Sequence, residues 1–493
     1  MIATTYKGKM YDVEYSIVNV SELEGELRID AEYYEPYFLR YEALIRRKQW
    51  CKIGDLVDKV QYGLSLAMNE DGKGCKILKM DDIIGILADD SNCKYIDIDE
   101  KTFEMYRLKK GDILFNRVNS EEFVGRTGIY LLDGLHTFAS YLIRMKAKEC
   151  FTNFYITIYL NTEYGRVSLK RVMRRAVNQA NINAEEIKSL TIPILSDTFQ
   201  KQIKKLVLKA YEERGKTENF YKQAEDILLE ELGLNNWKPK TKKIIVGGKE
   251  FEEEENISIR NLSEVLKADR MDAEYWEPKH DEIITTLKEK MELMPLKAIA
   301  TTKKGSLIDP RFYNNAEGTP YIRGKDFSSD HLEKSGLVYI SSNFQPKNET
   351  RVNIGDLVFA LIGSVGTSAL VDEEFNNSFI SNNIGKISIR NKKEILAEYL
   401  AITLHSIVGK LEFAKEMSQT AQPKISDLQV RNFYIPLLPI EIQQKIASLV
   451  QQSHKARKRA KELLEVAKKA VEIAIEKNEK EALSYISKTD NKQ

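Results

Sequence analysis

Read for apolar and polar positions alone, the chain passes through the same succession of patterns twice. Between Lys52 and Leu195, short apolar runs such as CKILKMDDI, GDILF and TGIYLL alternate with Gly, Asn and Asp clusters, which predicts short strands joined by turns. FYITIYLN near Tyr155 and EYLAITLH near Tyr399 form a matching pair of buried segments, and their periodicity fits a helix or a strand equally. From Asp197 to Leu232 there is no proline, Gly215 is the sole glycine, and Lys, Glu, Leu and Ala dominate, so one long helix is predicted. A second such run follows Pro439 and reaches about Leu483. Within it Ala456, Ala460, Leu463, Ala467, Ala470 and Ala474 are spaced alternately by four and three, the spacing of a coiled-coil seam whose small residues admit a close partner helix.

The repetition extends to identity. RIDAEYYEP from Arg28 recurs as RMDAEYWEP from Arg270, a shift of 270 − 28 = 242. KGDILFNRVNS from Lys110 answers IGDLVFALIGS from Ile354, and QANINAEEIKSLTIPIL from Gln179 answers QPKISDLQVRNFYIPLL from Gln422. A chain repeated in this way builds two copies of one structural unit. Because each long helix follows the same kind of globular unit, antiparallel pairing of the helices is expected to set the units at opposite ends of a dumbbell. A helix of about 36 residues spans about 54 Å at 1.5 Å per residue, more than one turn of duplex DNA.

Composition narrows the chemistry. With 493 residues, 42% hydrophobic and 30% charged, the chain can bury substantial cores in two or three domains. Lys and Arg number 75 against 74 Asp and Glu, so any nucleic-acid surface is a local patch rather than a whole-molecule field. No secretory leader or long apolar run is read, which gives a cytoplasmic expectation, and the four cysteines, without a CxxC pair, are expected to be reduced structural thiols. Enzymatic function lacks its residues: there is no Pro-Pro dipeptide for an amino-methyltransferase motif, no GxxxxGK[ST] loop, and the five histidines are scattered singly.

TAQPKISDLQVRNFYIPLLPIEIQQKIASLV from Thr420, YIRGKDF from Tyr321 and GDLVFALIGSVG from Gly355, with the duplication, resemble the specificity subunit of Type I restriction-modification systems. The first copy matches less well: KILKMDDI stands in the place of YIRGKDF, and three extra residues precede Gly125. The resemblance implies an α+β chain of two tandem pseudo-symmetric α/β target-recognition domains separated by long helices that form an antiparallel coiled coil. It places a first recognition domain with an N-terminal extension at 1–195, a central spacer helix at 196–234, a linker and second recognition domain at 235–438, and a C-terminal spacer helix and tail at 439–493. It further implies a non-catalytic reader of a bipartite, asymmetric sequence in double-stranded DNA. Two DNA methyltransferase subunits would be recruited, with restriction and translocase subunits in a larger complex; S-adenosylmethionine, ATP and magnesium would be held by those partners, and no cofactor by this chain. The alternative is a coiled-coil scaffold that touches no DNA.

Candidate DNA contacts follow from charge and amide placement. Arg166, Lys170, Arg171, Arg174 and Arg175 occur with no acid between Glu163 and Glu185; on a helix Arg166, Lys170 and Arg174 would share one face suited to phosphates or guanine edges. The NQAN turn beyond them brings Asn178 and Gln179, amides that suit adenine, and Gln419, Gln422 and Lys424 occupy the corresponding stretch of the second copy. Asn116 and Arg117, just after the GDILF strand, pair with Ala360 and Leu361 and so differ between copies. Lys303, Lys304 and Arg311 flank a glycine turn, followed by Arg323 and Lys325. The twin DAEY segments, each ahead of a helix-like run, are expected to be packing joints rather than active sites.

Overall fold

FYITIYLN and EYLAITLH are helices, Cys150–Asn161 and Ala397–His405, as befits segments apolar on every side that lie behind a sheet. Each is tied by the same polar bond: the Tyr155 hydroxyl donates to the Pro193 carbonyl at 2.6 Å, and the Tyr399 hydroxyl to the Pro436 carbonyl at 2.6 Å. The computed structural model describes residues 2–7, 12–23, 29–177, 179–246, 249–254, 257–314, 317–328, 330–334, 336–344, 351–418 and 422–490. Two compact units emerge, one of residues 1–215 with 456–493 and one of residues 216–455, so that each unit takes one part of each long helix.

In the first unit a six-stranded sheet runs in the order Val57–Tyr62, Leu142–Ala147, Ile113–Asn116, Thr127–Ile129, Leu87–Ala88, Ile83–Ile84. The second unit repeats the first four places as Ala300–Lys304, Ile384–Ile389, Leu357–Ala360, Ser368–Leu370. At the end of the first strand in each sheet stands a glycine that accepts no substitute. A Cβ on Gly63 would lie 2.3 Å from the Ala139 carbonyl oxygen, and one on Gly305 would lie 2.2 Å from that of Ile380, distances only a bare backbone tolerates.

The DAEY segments are 3₁₀ turns, Ala31–Tyr34 and Ala273–Trp276, leading into helices Pro36–Arg46 and Pro278–Lys288 with proline in the first turn, where its missing N–H costs nothing. Their rings pack edge to face at 4.9 Å, Tyr33 on Tyr34 and Tyr275 on Trp276. A cation caps each turn: Arg171 lies 4.0 Å from the Tyr33 ring centre, and Lys415 lies 5.1 Å from that of Tyr275.

The long helices are Asp197–Leu232 and Ile440–Glu476. Inside the first unit, Phe199, Ile203, Val207 and Ala210 share a core with Leu463, Ala467, Ala470 and Ala474. Their sense is antiparallel, since Ser196, just before the first helix, donates its N–H to Glu479, just past the end of the second, at 2.8 Å. In the second unit Ala224, Leu228 and Leu232 share a core with Ile446 and Val450, and Ser453 donates to the Thr217 carbonyl at 3.0 Å. All six predicted seam positions are buried. The second run is not one helix to Leu483, however. It breaks at Lys477 and Asn478, and Asn478 accepts from the Glu481 N–H at 2.9 Å to start a separate helix, Glu479–Asp490.

Candidate nucleic-acid interface

The basic cluster of the first copy is divided by a change of backbone. The helix carrying Arg166, Lys170 and Arg171 stops at Val172, and Arg174–Ala176 is a strand that pairs with Gln179–Asn181 as a hairpin. Arg174 is therefore not on a helical face with Arg166 and Lys170, and the expected row of three is corrected. Arg171 is corrected as well. It is 8% exposed, donates from Nε to the Tyr33 carbonyl at 2.8 Å and pairs with Glu42, so its charge serves the joint around Tyr33. Arg166 is spent on a loop, donating to the carbonyls of Val124 at 3.3 Å and Glu122 at 3.1 Å, and burial lowers its pKa. Lys170, Arg174, Arg175 and Gln179 stay exposed, while Asn178 lies outside the described residues.

That hairpin is the outer part of a three-stranded sheet whose other edge is Val118–Asn119, directly after the GDILF strand. Chain segments far apart in sequence thus meet. Ile182 donates its N–H to the Arg117 carbonyl at 2.9 Å, Arg117 donates its own to the Tyr141 carbonyl at 3.0 Å, and Arg175 pairs with Glu121. Arg174 pairs with Glu186. The Arg175–Glu121 pair is exposed on both sides, so it is worth at most about 1 kcal/mol, whereas Arg174 is exposed on a largely buried Glu186. Asn116 does not project outward as expected: it is 0% exposed and donates to the Phe123 carbonyl at 3.5 Å, because its place at the end of an all-buried strand turns it toward the loop.

The second unit carries the same backbone. Ile425 donates to the Leu361 carbonyl at 2.9 Å and Leu361 to the Asn383 carbonyl at 2.8 Å, while Lys424 bridges both Ile362 and Ser418 as Asn181 pairs with Val118 and Arg174. Lys424 and Gln422 are exposed there; Gln419 lies outside the described residues. Lys303 and Lys304 are exposed at the end of their strand, with Lys304 immediately before Gly305. Arg311, Arg323 and Lys325 are not brought to this edge by the strand pairing, since they flank strands of a separate four-stranded sheet. Arg311 is exposed and paired with Asp309 at 2.7 Å. Arg323 is corrected to a turn-holding role: its guanidinium donates to the Gly336 carbonyl at 2.7 Å and its N–H to Asp326 at 2.8 Å. Lys325 is exposed.

Two residues of the first unit's edge escaped the sequence reading. Tyr62 is 42% exposed, its ring lies 5.0 Å below the Arg117 guanidinium, and its hydroxyl accepts the Ala184 N–H at 3.1 Å. Tyr141 is 47% exposed. The signal that could have found Tyr62 was register, because Tyr62 precedes Gly63 as Lys304 precedes Gly305.

His136 is 2% exposed, between the Tyr130 hydroxyl at 2.9 Å and Asp90 at 3.1 Å, and burial lowers its pKa. The four cysteines are free thiols, and burial pushes Cys51 up to about 11. Among the described residues no cluster of three or more His, Cys, Asp or Glu could hold a metal ion, and no helix is long and apolar enough to cross a membrane.

Residues 288–468 match the family described as "Type I restriction modification DNA specificity domain". The MjaX type I restriction enzyme specificity subunit of Methanocaldococcus jannaschii is 31% identical over 164 residues, 32% of this chain and 37% of that protein. The EcoKI type I restriction enzyme specificity subunit of Escherichia coli K12 is 28% identical over 142 residues, 28% of this chain and 30% of that protein. The chain thus aligns with about a third of the length of these curated relatives. Among solved structures, the Type I restriction-modification S subunit from M. genitalium superposes with a TM-score of 0.40 at 13% identity, covering 87% of this chain and 96% of the other. The HsdS subunit from Thermoanaerobacter tengcongensis gives a TM-score of 0.28 at 13% identity, covering 87% and 97%. Residues 288–468 thus carry a domain similar to the DNA specificity domain of Type I restriction-modification systems.

Proposed function

We propose that this chain is the DNA-reading subunit of a cytoplasmic Type I restriction-modification complex and that its two units read the two unlike halves of one bipartite site. The observation that carries the reading is the pair of edges just described: the same backbone bonds hold Arg117 and Leu361, with hairpins of different side chains beside them. A scaffold has no use for that difference, whereas a reader of an asymmetric sequence depends on it. In the first unit Lys170, Arg174 and Arg175 bind phosphates, and Arg117 and Gln179 face base edges; in the second Lys303, Lys304, Gln422 and Lys424 take these parts. Arg311 and Lys325 add phosphate contacts. The working parts are 1–195 and 235–438 as recognition domains, with 196–234 and 439–493 as spacer helices. The chain carries no catalysis and no cofactor. Two methyltransferase subunits with S-adenosylmethionine modify the DNA, and restriction subunits with ATP and magnesium complete the larger complex.

The test is retardation of DNA by the full chain together with its methyltransferase partner, with salt varied. The account expects affinity to fall steeply as salt rises, and replacing Arg174 and Arg175 together by alanine to reduce the log-log slope by about 1.8, about 0.9 for each lost phosphate contact. Assembly with the partner should survive that change. No retention at any salt would favour the scaffold.

A further inference from the structure

We infer that Arg117, set by the ring of Tyr62, reads a guanine in the half-site of the first unit, and that the second unit lacks this reader. The inference rests on the DNA-reading function proposed above and deepens it by naming a base. A guanidinium suits guanine because its parallel donors reach O6 and N7 together in the major groove, and holding its plane against an aromatic face prepares it for that geometry. Arg117 meets these conditions. Its backbone is fixed on both sides, by the Ile182 N–H on its carbonyl at 2.9 Å and by the Tyr141 carbonyl on its N–H at 3.0 Å. Its guanidinium lies 5.0 Å from the Tyr62 ring centre, and one nitrogen, Nη1, donates to the Ser140 carbonyl at 3.3 Å. Its Nη2 donates to no acceptor among the described residues. Tyr62 is a positioning residue, itself anchored by the Ala184 N–H at 3.1 Å, which ties the reader to the end of the hairpin segment.

In the second unit the same register holds Leu361, 2% exposed, in the place of Arg117, Lys304 in the place of Tyr62 and Asn383 in the place of Tyr141. A buried leucine presents no donor to a base. The guanine contact is therefore confined to one half-site, and whatever the second unit reads along this edge is read from Lys304 and the 422–424 segment.

The experiment begins with the methylation motif written in host cells by the full chain and its methyltransferase. Synthetic duplexes of that motif are then made with each guanine in turn replaced by 7-deazaguanine, which removes N7. We expect one position, in one half-site, where the replacement weakens binding about tenfold or more for the native complex and has no effect on Arg117→Leu, a change that copies the second unit. Arg117→Leu should relax the written motif at that position and leave the other half-site intact. Tyr62→Phe, which keeps the ring, should retain the discrimination, and Tyr62→Leu should lose it at unchanged partner assembly. The inference is overturned if Arg117→Leu keeps both the motif and the deazaguanine response, or if neither half-site contains a guanine. If the native complex writes no motif and binds no duplex, the DNA-reading function itself fails and the inference falls with it.

Discussion

The edge beside Ile113–Asn116 and the edge beside Leu357–Ala360 have the same bonds and different surfaces. In one, an arginine lies over an exposed tyrosine; in the other, the matching residue is a buried leucine and the tyrosine is a lysine. Backbone geometry comes from pieces the two copies share, among them the tight glycines 63 and 305 and the tyrosine bonds to Pro193 and Pro436. Side chains at the edge differ between the copies while those shared pieces do not. The comparison shows how a duplicated chain can keep one fold and present two different edges.

The joints offer the sharpest way to break the comparison. Arg171 is enclosed with Glu42, which also pairs with Arg46 at 2.6 Å, so Arg171→Ala removes one of two guanidinium partners of a buried carboxylate together with the bond to the Tyr33 carbonyl, and should cost about 3 kcal/mol in chemical denaturation. Its counterpart Lys415 sits 3.7 Å from a half-exposed Asp281, and Lys415→Ala should cost less than about 1 kcal/mol. Equal losses would mean that the two joints are built alike.

A second difference is a matter of pH. Burial pushes Glu412 up to about 7, against the lowering influence of Lys415 and of a backbone bond from Tyr434, whereas the matching residue of the first unit is Ser168. Because the folded carboxyl holds its proton more tightly than the unfolded one, its favourable contribution is complete below about pH 4.5 and is lost as pH rises to about 7. Glu412→Gln should therefore stabilise the protein by about 3 kcal/mol at pH 8 and make no difference near pH 4. Urea denaturation at the two pH values checks this, and an equal gain at both would remove Glu412 from the account.

The smallest effect is one where the units should agree. Tyr155→Phe and Tyr399→Phe each remove the donor to a proline carbonyl, and each should cost about 1 kcal/mol by thermal denaturation. Unequal costs would show that the shared scaffold is looser in one copy.

Much of this architecture is legible in the sequence because it rests on local signals. The run from Asp197 to Leu232 is free of breakers, and the alternation of four and three from Ala456 to Ala474 is what an apposed helix requires. The DAEY repeats announce twin turns through the proline that opens each following helix. Less legible is the fate of each charge. Arg171 and Arg174 are three residues apart, yet the helix ends between them; one guanidinium is buried in a joint and the other is exposed on a hairpin. That outcome depends on Glu42 and Tyr33, more than 100 residues away, and no window of sequence around Arg171 contains them. Asn116 is similar: its strand was readable, but the loop that receives its side chain was not. Tyr62 was missed because an isolated tyrosine before a glycine signals nothing until the two copies are aligned at Gly63 and Gly305.

The most direct test of the central claim is sequencing of methylated bases in the host's DNA, with and without this gene. The account predicts a motif that depends on the gene and has two unlike specified parts separated by unspecified base pairs. A single contiguous or palindromic motif, or a methylation pattern unchanged when the gene is lost, would contradict it.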